Sequence, residues 1–202
     1  MSRKKIFYAA FFGILIVGFF VVLILTIPGF AKPSIPSIGY VQPFSFYNQD
    51  GRKVTEKDME GKVVAVEYFF TTCTGICPRL NKNMRTIYDE FSREDDFLIL
   101  SHTCDPDIDS VVRLKRFADS MKVDTKKWQF LTGPKDSLYY MARHSYKIDD
   151  PADNRLSAED DFMHTQFVAL VNRKGDVVKV YDGLKQSEMK EMAKEVEELL
   201  KN

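Results

Sequence analysis

The sequence predicts an α/β fold: a central sheet flanked by helices, preceded by a small hairpin and an N-terminal transmembrane helix. Three observations carry this. Short β-branched and aromatic runs alternate with stretches whose apolar residues recur at helical spacing, the pattern of a sheet with helices on both faces. Two turn signals, Asp50-Gly51 and Arg173-Lys174-Gly175-Asp176, each sit between strand-like runs and read as hairpins. The 26 residues from Ile6 to Ala31 carry no charge at all.

The elements follow in order. Roughly 20 apolar residues in a helix cross a bilayer core, so residues 6–27 form the anchor, and residues 1–5, MSRKK, form a basic flank held on the cytoplasmic side. A cleaved signal peptide would have a shorter apolar core, typically ~7–15 residues. Pro28, Pro33 and Pro36 mark residues 28–42 as an extended, semi-rigid spacer. Residues 43–202 are the folded domain. PFSFYNQDGRKVT gives the first hairpin. KVVAVEYFF (62–70) is a strand covered on both faces. A helix follows through Leu80, Met84, Ile87, Tyr88 and Phe91. FLILSH (97–102) is a second buried strand, followed by a helix from about Ile108 to Met121. Trp128 to Thr132 is a third strand, and a helix runs from about Lys135 to His144. Residues 147–161 are polar and turn-rich and read as a surface loop. QFVALVNRKGDVVKVYDG supplies the late hairpin, and EMKEMAKEVEELL a final amphipathic helix.

The formal net charge is zero, yet it is unevenly spread. Arg3, Lys4, Lys5 and Lys32 flank the apolar run, and all 29 acidic residues lie beyond position 49, leaving 25 basic against 29 acidic residues in the domain. No basic stripe interleaved with aromatics is present, which argues against a nucleic-acid partner. An anchored domain of this kind faces an extracytoplasmic space, where thiols can be oxidised. MSRKK runs straight into the anchor without an amphipathic leader, which favours a bacterial envelope, with the domain periplasmic, over a mitochondrion.

At the end of the first buried strand stands TTCTGICPRL, with Cys73 and Cys77 four apart and Pro78 behind. Residues i and i+4 on a helix lie about 5–6 Å apart between Cβ atoms, so the two sulfurs can share one metal ion or one disulfide. Gly75 is expected to supply unusual backbone angles, Pro78 to fit a first helical turn, and the helix start to favour thiolate. Of the three histidines, His164 lies where a polar loop meets the late strand, 87 residues after Cys77. It is either a third ligand or a histidine satisfied at a strand edge. Two thiolates and an imidazole suit copper, and with a fourth ligand they would also hold zinc. His102 and His144 have no cysteine at ligand spacing and read as structural.

A dithiol at the first strand–helix junction, followed by a late hairpin and a last helix, resembles the thioredoxin-like arrangement. TTCTGICPRL, Asp105-Pro106 after the second strand and His164 at the late hairpin together resemble the Sco/SenC family from about Pro43 onward. The resemblance implies one copper ion, Cu(I) or Cu(II), on Cys73, Cys77 and His164. It further implies delivery to the copper A centre of cytochrome c oxidase subunit II or another membrane copper protein. Some members are thought instead to act as thiol–disulfide oxidoreductases that keep the recipient's cysteines reduced. Cys73 and Cys77 would then be the redox pair, and a thioredoxin-like protein a possible reductant. The proline usual before the late strand of a thioredoxin is replaced here by Met163-His164-Thr165, which favours metal over general disulfide exchange.

Cys104 and Glu67 stand outside this pattern, and Asp105 within it has two readings. Cys104 makes the cysteine count odd. It is either a resolving thiol or a small buried hydrophobe, and the second reading is favoured. Glu67, mid-strand among valines and aromatics, is either a carboxylate that tunes the thiols or a paired structural residue. Asp105 either orients the site or caps the following helix.

Overall fold

The structure, a computed structural model, describes residues 3–26, 37–148 and 165–201. It falls into two units, Met1–Pro36 and Ser37–Asn202. In the first, α1 (Arg3–Thr26) is a single helix, long and apolar enough to cross a membrane.

The second unit is built on one eight-stranded sheet. Its strands are β1 (Gly39–Tyr40), β2 (Ser45–Asn48), β3 (Lys53–Thr55), β4 (Val63–Phe69), β5 (Phe97–Thr103), β6 (Trp128–Thr132), β7 (Phe167–Val171) and β8 (Asp176–Asp182). Their spatial order is β1-β8-β7-β4-β5-β6-β2-β3. The centre, β4-β5-β6, is parallel, and β7 joins β4 antiparallel. Every residue of β4, β5 and β6 is buried, as strands covered on both faces require.

Helices α2 (Cys77–Phe91) and α3 (Val111–Met121) link β4 to β5 and β5 to β6. Both crossovers step the same way along the sheet, so right-handed connection places both helices on one face. Helix α5 (Gln186–Leu200) joins them there. Leu80, Met84 and Ile87 of α2 pack with Leu114 of α3, Met192 and Val196 of α5, and Val63, Ala65 and Phe69 of β4. The opposite face buries Val64, Val66 and Tyr68 with Leu98, Leu100, Phe44, Phe46 and the short helix α4 (Lys135–Tyr140). Fully burying one such aliphatic side chain is worth about 1.5–3 kcal/mol. At Gly183 a Cβ would come within 2.3 Å of Leu80 Cδ1, so the turn after β8 can meet α2 only without a side chain.

The first hairpin turns where expected, with Gly51 at φ +73°. Other boundaries differ from the sequence reading. Gly39–Tyr40, assigned there to the spacer, pair with β8 as an edge strand. The helix expected from Ile108 begins at Val111, because Ser110 caps it by accepting the Arg113 N–H. The helix expected through His144 is α-helical only to Tyr140 and continues as a π-type turn, Met141–Ser145, with the Tyr146 N–H reaching Met141 O at 2.8 Å. Of the expected 147–161 loop, only Lys147 and Ile148 are described.

Candidate metal and thiol site

Strand β4 ends at Phe69, and residues 70–76 form a loop into α2. Cys77 is the first residue of that helix and Pro78 the second, where a missing N–H costs nothing. Cys73 is therefore not on the helix. It lies in the loop, and its Sγ accepts the Cys77 N–H at 3.4 Å, so the first free amide of the helix points at the more exposed sulfur. Gly75 does not take a left-handed conformation, and a Cβ there would meet open space. The expectation that Gly75 shapes the loop does not hold.

The two sulfurs differ in environment. Cys77 is 4% exposed and belongs to the core, whereas Cys73 is half-buried. Burial pushes the Cys77 thiol up to about 12, helped by the neighbouring Cys73 and by the charge of Glu67, against a backbone hydrogen bond from Phe70. The expected lowering by the helix start is overridden at this residue, because desolvation of the thiolate outweighs a single helix terminus. Both cysteines line an open groove of about 410 Å³ between α2 and α3. Phe70, Phe117 and Met121 give it an apolar surface, and Lys82 and Arg85 are its charged residues. The larger cleft, about 770 Å³, lies between the first hairpin and α4 and has no cysteine or histidine in its lining.

Cys104 follows β5 directly, and its N–H donates to Phe69 O at 2.8 Å. Parallel strands ending on one edge bring it to Cys77: the two line a narrow gap, too small for water, with Phe69, Ile76 and Thr165. Cys104 is 2% exposed, and burial raises its thiol well above the ordinary range. All three cysteines are free thiols. Among the described residues no group of three His, Cys, Asp or Glu side chains is placed to hold a metal ion, so Cys104 does not complete such a set.

His164 lies outside the described residues. Its neighbour Thr165 is described, lining the gap beside Cys77 and donating its hydroxyl to Ile148 O at 3.1 Å. His102 is fully buried on the other face of the sheet, stacked on Tyr68 at 5.0 Å between ring centroids, with neither ring nitrogen hydrogen-bonded. Burial lowers it to about 3, so it is a neutral core residue. His144 is exposed on the π-type turn against Tyr140. His102 matches its structural reading.

Glu67 is fully buried and raised to about 7 by desolvation, which the hydrogen bond from Ser101 partly offsets. Ser101 Oγ donates to Glu67 Oε1 at 2.6 Å and accepts from Trp128 Nε1 at 2.8 Å. Glu67 Oε2 has no partner. Asp105 does not cap α3. Its N–H donates to the Thr103 hydroxyl, and its carbonyl accepts from Ile108 and Asp109. Sequence reasoning missed Asp109, a fully buried carboxylate that accepts from the Thr71 N–H at 3.0 Å, the Thr71 hydroxyl and the Thr103 hydroxyl at 2.6 Å. The only sequence signal was an acidic residue between Ile108 and a helix-capping serine, which reads as a solvated turn.

A parallel-centred sheet with a dithiol at the first strand–helix junction and an antiparallel hairpin beside that strand defines a thioredoxin-like protein. Within that class the chain belongs to the SCO1/SenC family, whose model matches residues 34–201. The SCO1 protein homolog of Bacillus subtilis is 33% identical over 146 residues, covering 71% of this chain and 74% of that protein. The structure of BsSco, described as having a disulfide switch and as a member of the Sco family of cytochrome c oxidase assembly proteins, aligns with a TM-score of 0.68 at 28% identity. It covers 81% of this chain and 95% of that one. Arabidopsis thaliana ScoI, solved with copper bound, shares the fold with a TM-score of 0.63 at 24% identity, covering 79% and 99% of the two chains.

Proposed function

We propose that this protein is a membrane-anchored copper chaperone that takes one copper ion on Cys73, Cys77 and His164. It would hand the ion to the copper A centre of cytochrome c oxidase subunit II. The observation that carries this is the placement of Thr165 in the gap beside Cys77, which brings the chain immediately next to His164 to the buried sulfur. Two free thiols and an imidazole form a soft donor set suited to Cu(I) that also accepts Cu(II). The buried Cys77 holds its proton until a cation arrives, and metal binding must then release it. The half-buried Cys73 faces the groove, so an incoming thiolate from the recipient can attack the cargo from that side. Residues 6–27 would hold the folded domain, which begins by the Gly39–Tyr40 edge strand, at the outer face of a bacterial membrane, beside a membrane-bound recipient.

The second reading is a thiol–disulfide oxidoreductase that keeps the recipient's cysteines reduced. The pairing of one accessible and one buried sulfur supports it, since exchange needs an attackable sulfur and a protected partner. His164 separates the two readings. The test is copper stoichiometry and insulin-type disulfide reduction by the reduced protein and its His164→Ala form. A chaperone loses most of its one equivalent of copper on that substitution, whereas a reductase still reduces one disulfide for each Cys73–Cys77 dithiol oxidised. Unchanged copper binding by His164→Ala would sink the three-ligand site.

A further inference from the structure

We propose that Asp109 is the positioning residue of the dithiol loop: through Thr71 it fixes where Cys73 stands relative to Cys77. This rests on reading Cys73 and Cys77 as the working pair. The Asp109 side chain is completely buried, so its oxygens are satisfied by protein groups. An ionised carboxylate offers about four acceptor positions. Three are filled, by the Thr71 N–H, the Thr71 hydroxyl and the Thr103 hydroxyl, and Arg113 Nε stands 3.7 Å away.

The Thr71 hydroxyl is engaged in both directions. It donates to Asp109 and accepts from Arg113 Nε at 2.6 Å, so neither its rotor nor its backbone amide has slack. Thr103 repeats the arrangement on the neighbouring strand end, donating to Asp109 and accepting the Asp105 N–H at 2.9 Å. One carboxylate thus ties together the exits of β4 and β5, 38 residues from Thr71 in sequence. Cys73 comes two residues after Thr71, in a loop with no regular structure. Metal–ligand distances tolerate only about ±0.2 Å, and losing a hydrogen bond that orients a ligand typically lowers metal affinity about 10–100-fold. Holding Thr71 is therefore holding the site.

The experiment compares Asp109→Asn, Thr71→Val and Thr103→Val in the detergent-solubilised full chain. Three quantities are read: Cu(I) affinity against a chelator, melting temperature, and the equilibrium constant of the Cys73–Cys77 disulfide with glutathione. In that exchange two glutathione thiols reduce the disulfide to a dithiol and leave as glutathione disulfide. Asp109→Asn and Thr71→Val should each weaken Cu(I) binding at least tenfold. Each should also move the exchange constant at least tenfold, about 30 mV for two electrons. The double variant should be no worse than the worse single. Thr103→Val loses a hydrogen bond to the same carboxylate but leaves the loop tie, so it should lower the melting temperature with less than threefold change in the other two.

A destabilised Asp109→Asn with unchanged affinity and exchange constant overturns the proposal, and so does a Thr103→Val that matches it. If Asp109→Asn does not fold, Thr71→Val decides alone. If the unsubstituted chain binds no copper, the chaperone reading fails, while the exchange constant still decides the role of Asp109.

Discussion

Two ionisable side chains lie fully buried in adjoining strands, and the sheet separates them. Glu67 of β4 pairs in register with Ser101 and faces the layer that holds α2 and Cys77. His102 of β5 pairs with Tyr68 and faces the opposite layer, among Phe44, Phe46 and Tyr146. Both are desolvated, but Glu67 is lifted to about 7 and His102 is lowered to about 3. One therefore exchanges its proton near neutrality, beside a thiol. The other stays neutral through the same range and lies among the rings of Phe44, Phe46, Tyr68 and Tyr146. Burial perturbs a titratable group wherever it sits; a working site also needs a neighbour whose chemistry depends on the proton.

The two groups act on stability with opposite signs. His102 is lowered from 6.5 in the unfolded chain to about 3. Its contribution is complete above pH 6.5 and is lost as pH falls toward 3, by up to roughly 1.4 kcal/mol per pH unit. His102→Phe removes two unpaired ring nitrogens and keeps a planar ring, which should leave stability at pH 7 unchanged or raised. Relative to the unsubstituted protein it should gain on the order of 4 kcal/mol between pH 6.5 and 3. Urea unfolding of both proteins at several pH values measures this, and a constant difference across that window would remove the contrast between the two faces.

Glu67 runs the other way. It is raised from 4.5 to about 7, so its contribution is complete below pH 4.5 and is lost as pH rises through 7. Glu67→Gln should gain about 3 kcal/mol on the unsubstituted protein between pH 4.5 and 7. The Ser101 hydroxyl is the one interaction that pulls Glu67 back down. Ser101→Ala should therefore raise the Glu67 midpoint further and cost about 1–3 kcal/mol at pH 7 by stripping a buried oxygen of its donor. A carboxyl infrared band followed against pH reports that midpoint directly. A midpoint that stays put in Ser101→Ala would show that the Trp128–Ser101 relay does not reach the carboxylate.

Much of this contrast is legible in the sequence. Glu67 stands out in KVVAVEYFF because a charge there breaks an otherwise apolar strand, and the parallel pairing of β4 and β5 follows from the helical stretch between them. Hydrophobic period also placed α2 and α5, and the glycine turn signals placed both hairpins. Contacts between loops far apart in sequence were not legible. Asp109 meets Thr71 only after two strands have aligned, and no local pattern encodes that. The Cys77 thiol was misjudged for a related reason: a helix start is visible in sequence, whereas the depth at which that start is buried is set by packing of the whole layer.

The smallest effect concerns Cys104, which sits at the edge where the two layers meet. It packs with the His102 layer yet lines a narrow gap with Cys77. If it is filler, shape is all that matters, and Cys104→Val supplies a similar volume without the sulfur. Such a swap should change stability by less than about 1.5 kcal/mol. It should also leave one copper per chain and the Cys73–Cys77 exchange constant as they were. Its high, buried thiol makes a poor nucleophile at neutral pH, because attack on a disulfide requires thiolate. Mass spectrometry of the oxidised protein offers the sharper test. A Cys77–Cys104 disulfide accumulating alongside Cys73–Cys77 would move Cys104 from the inert layer into the site.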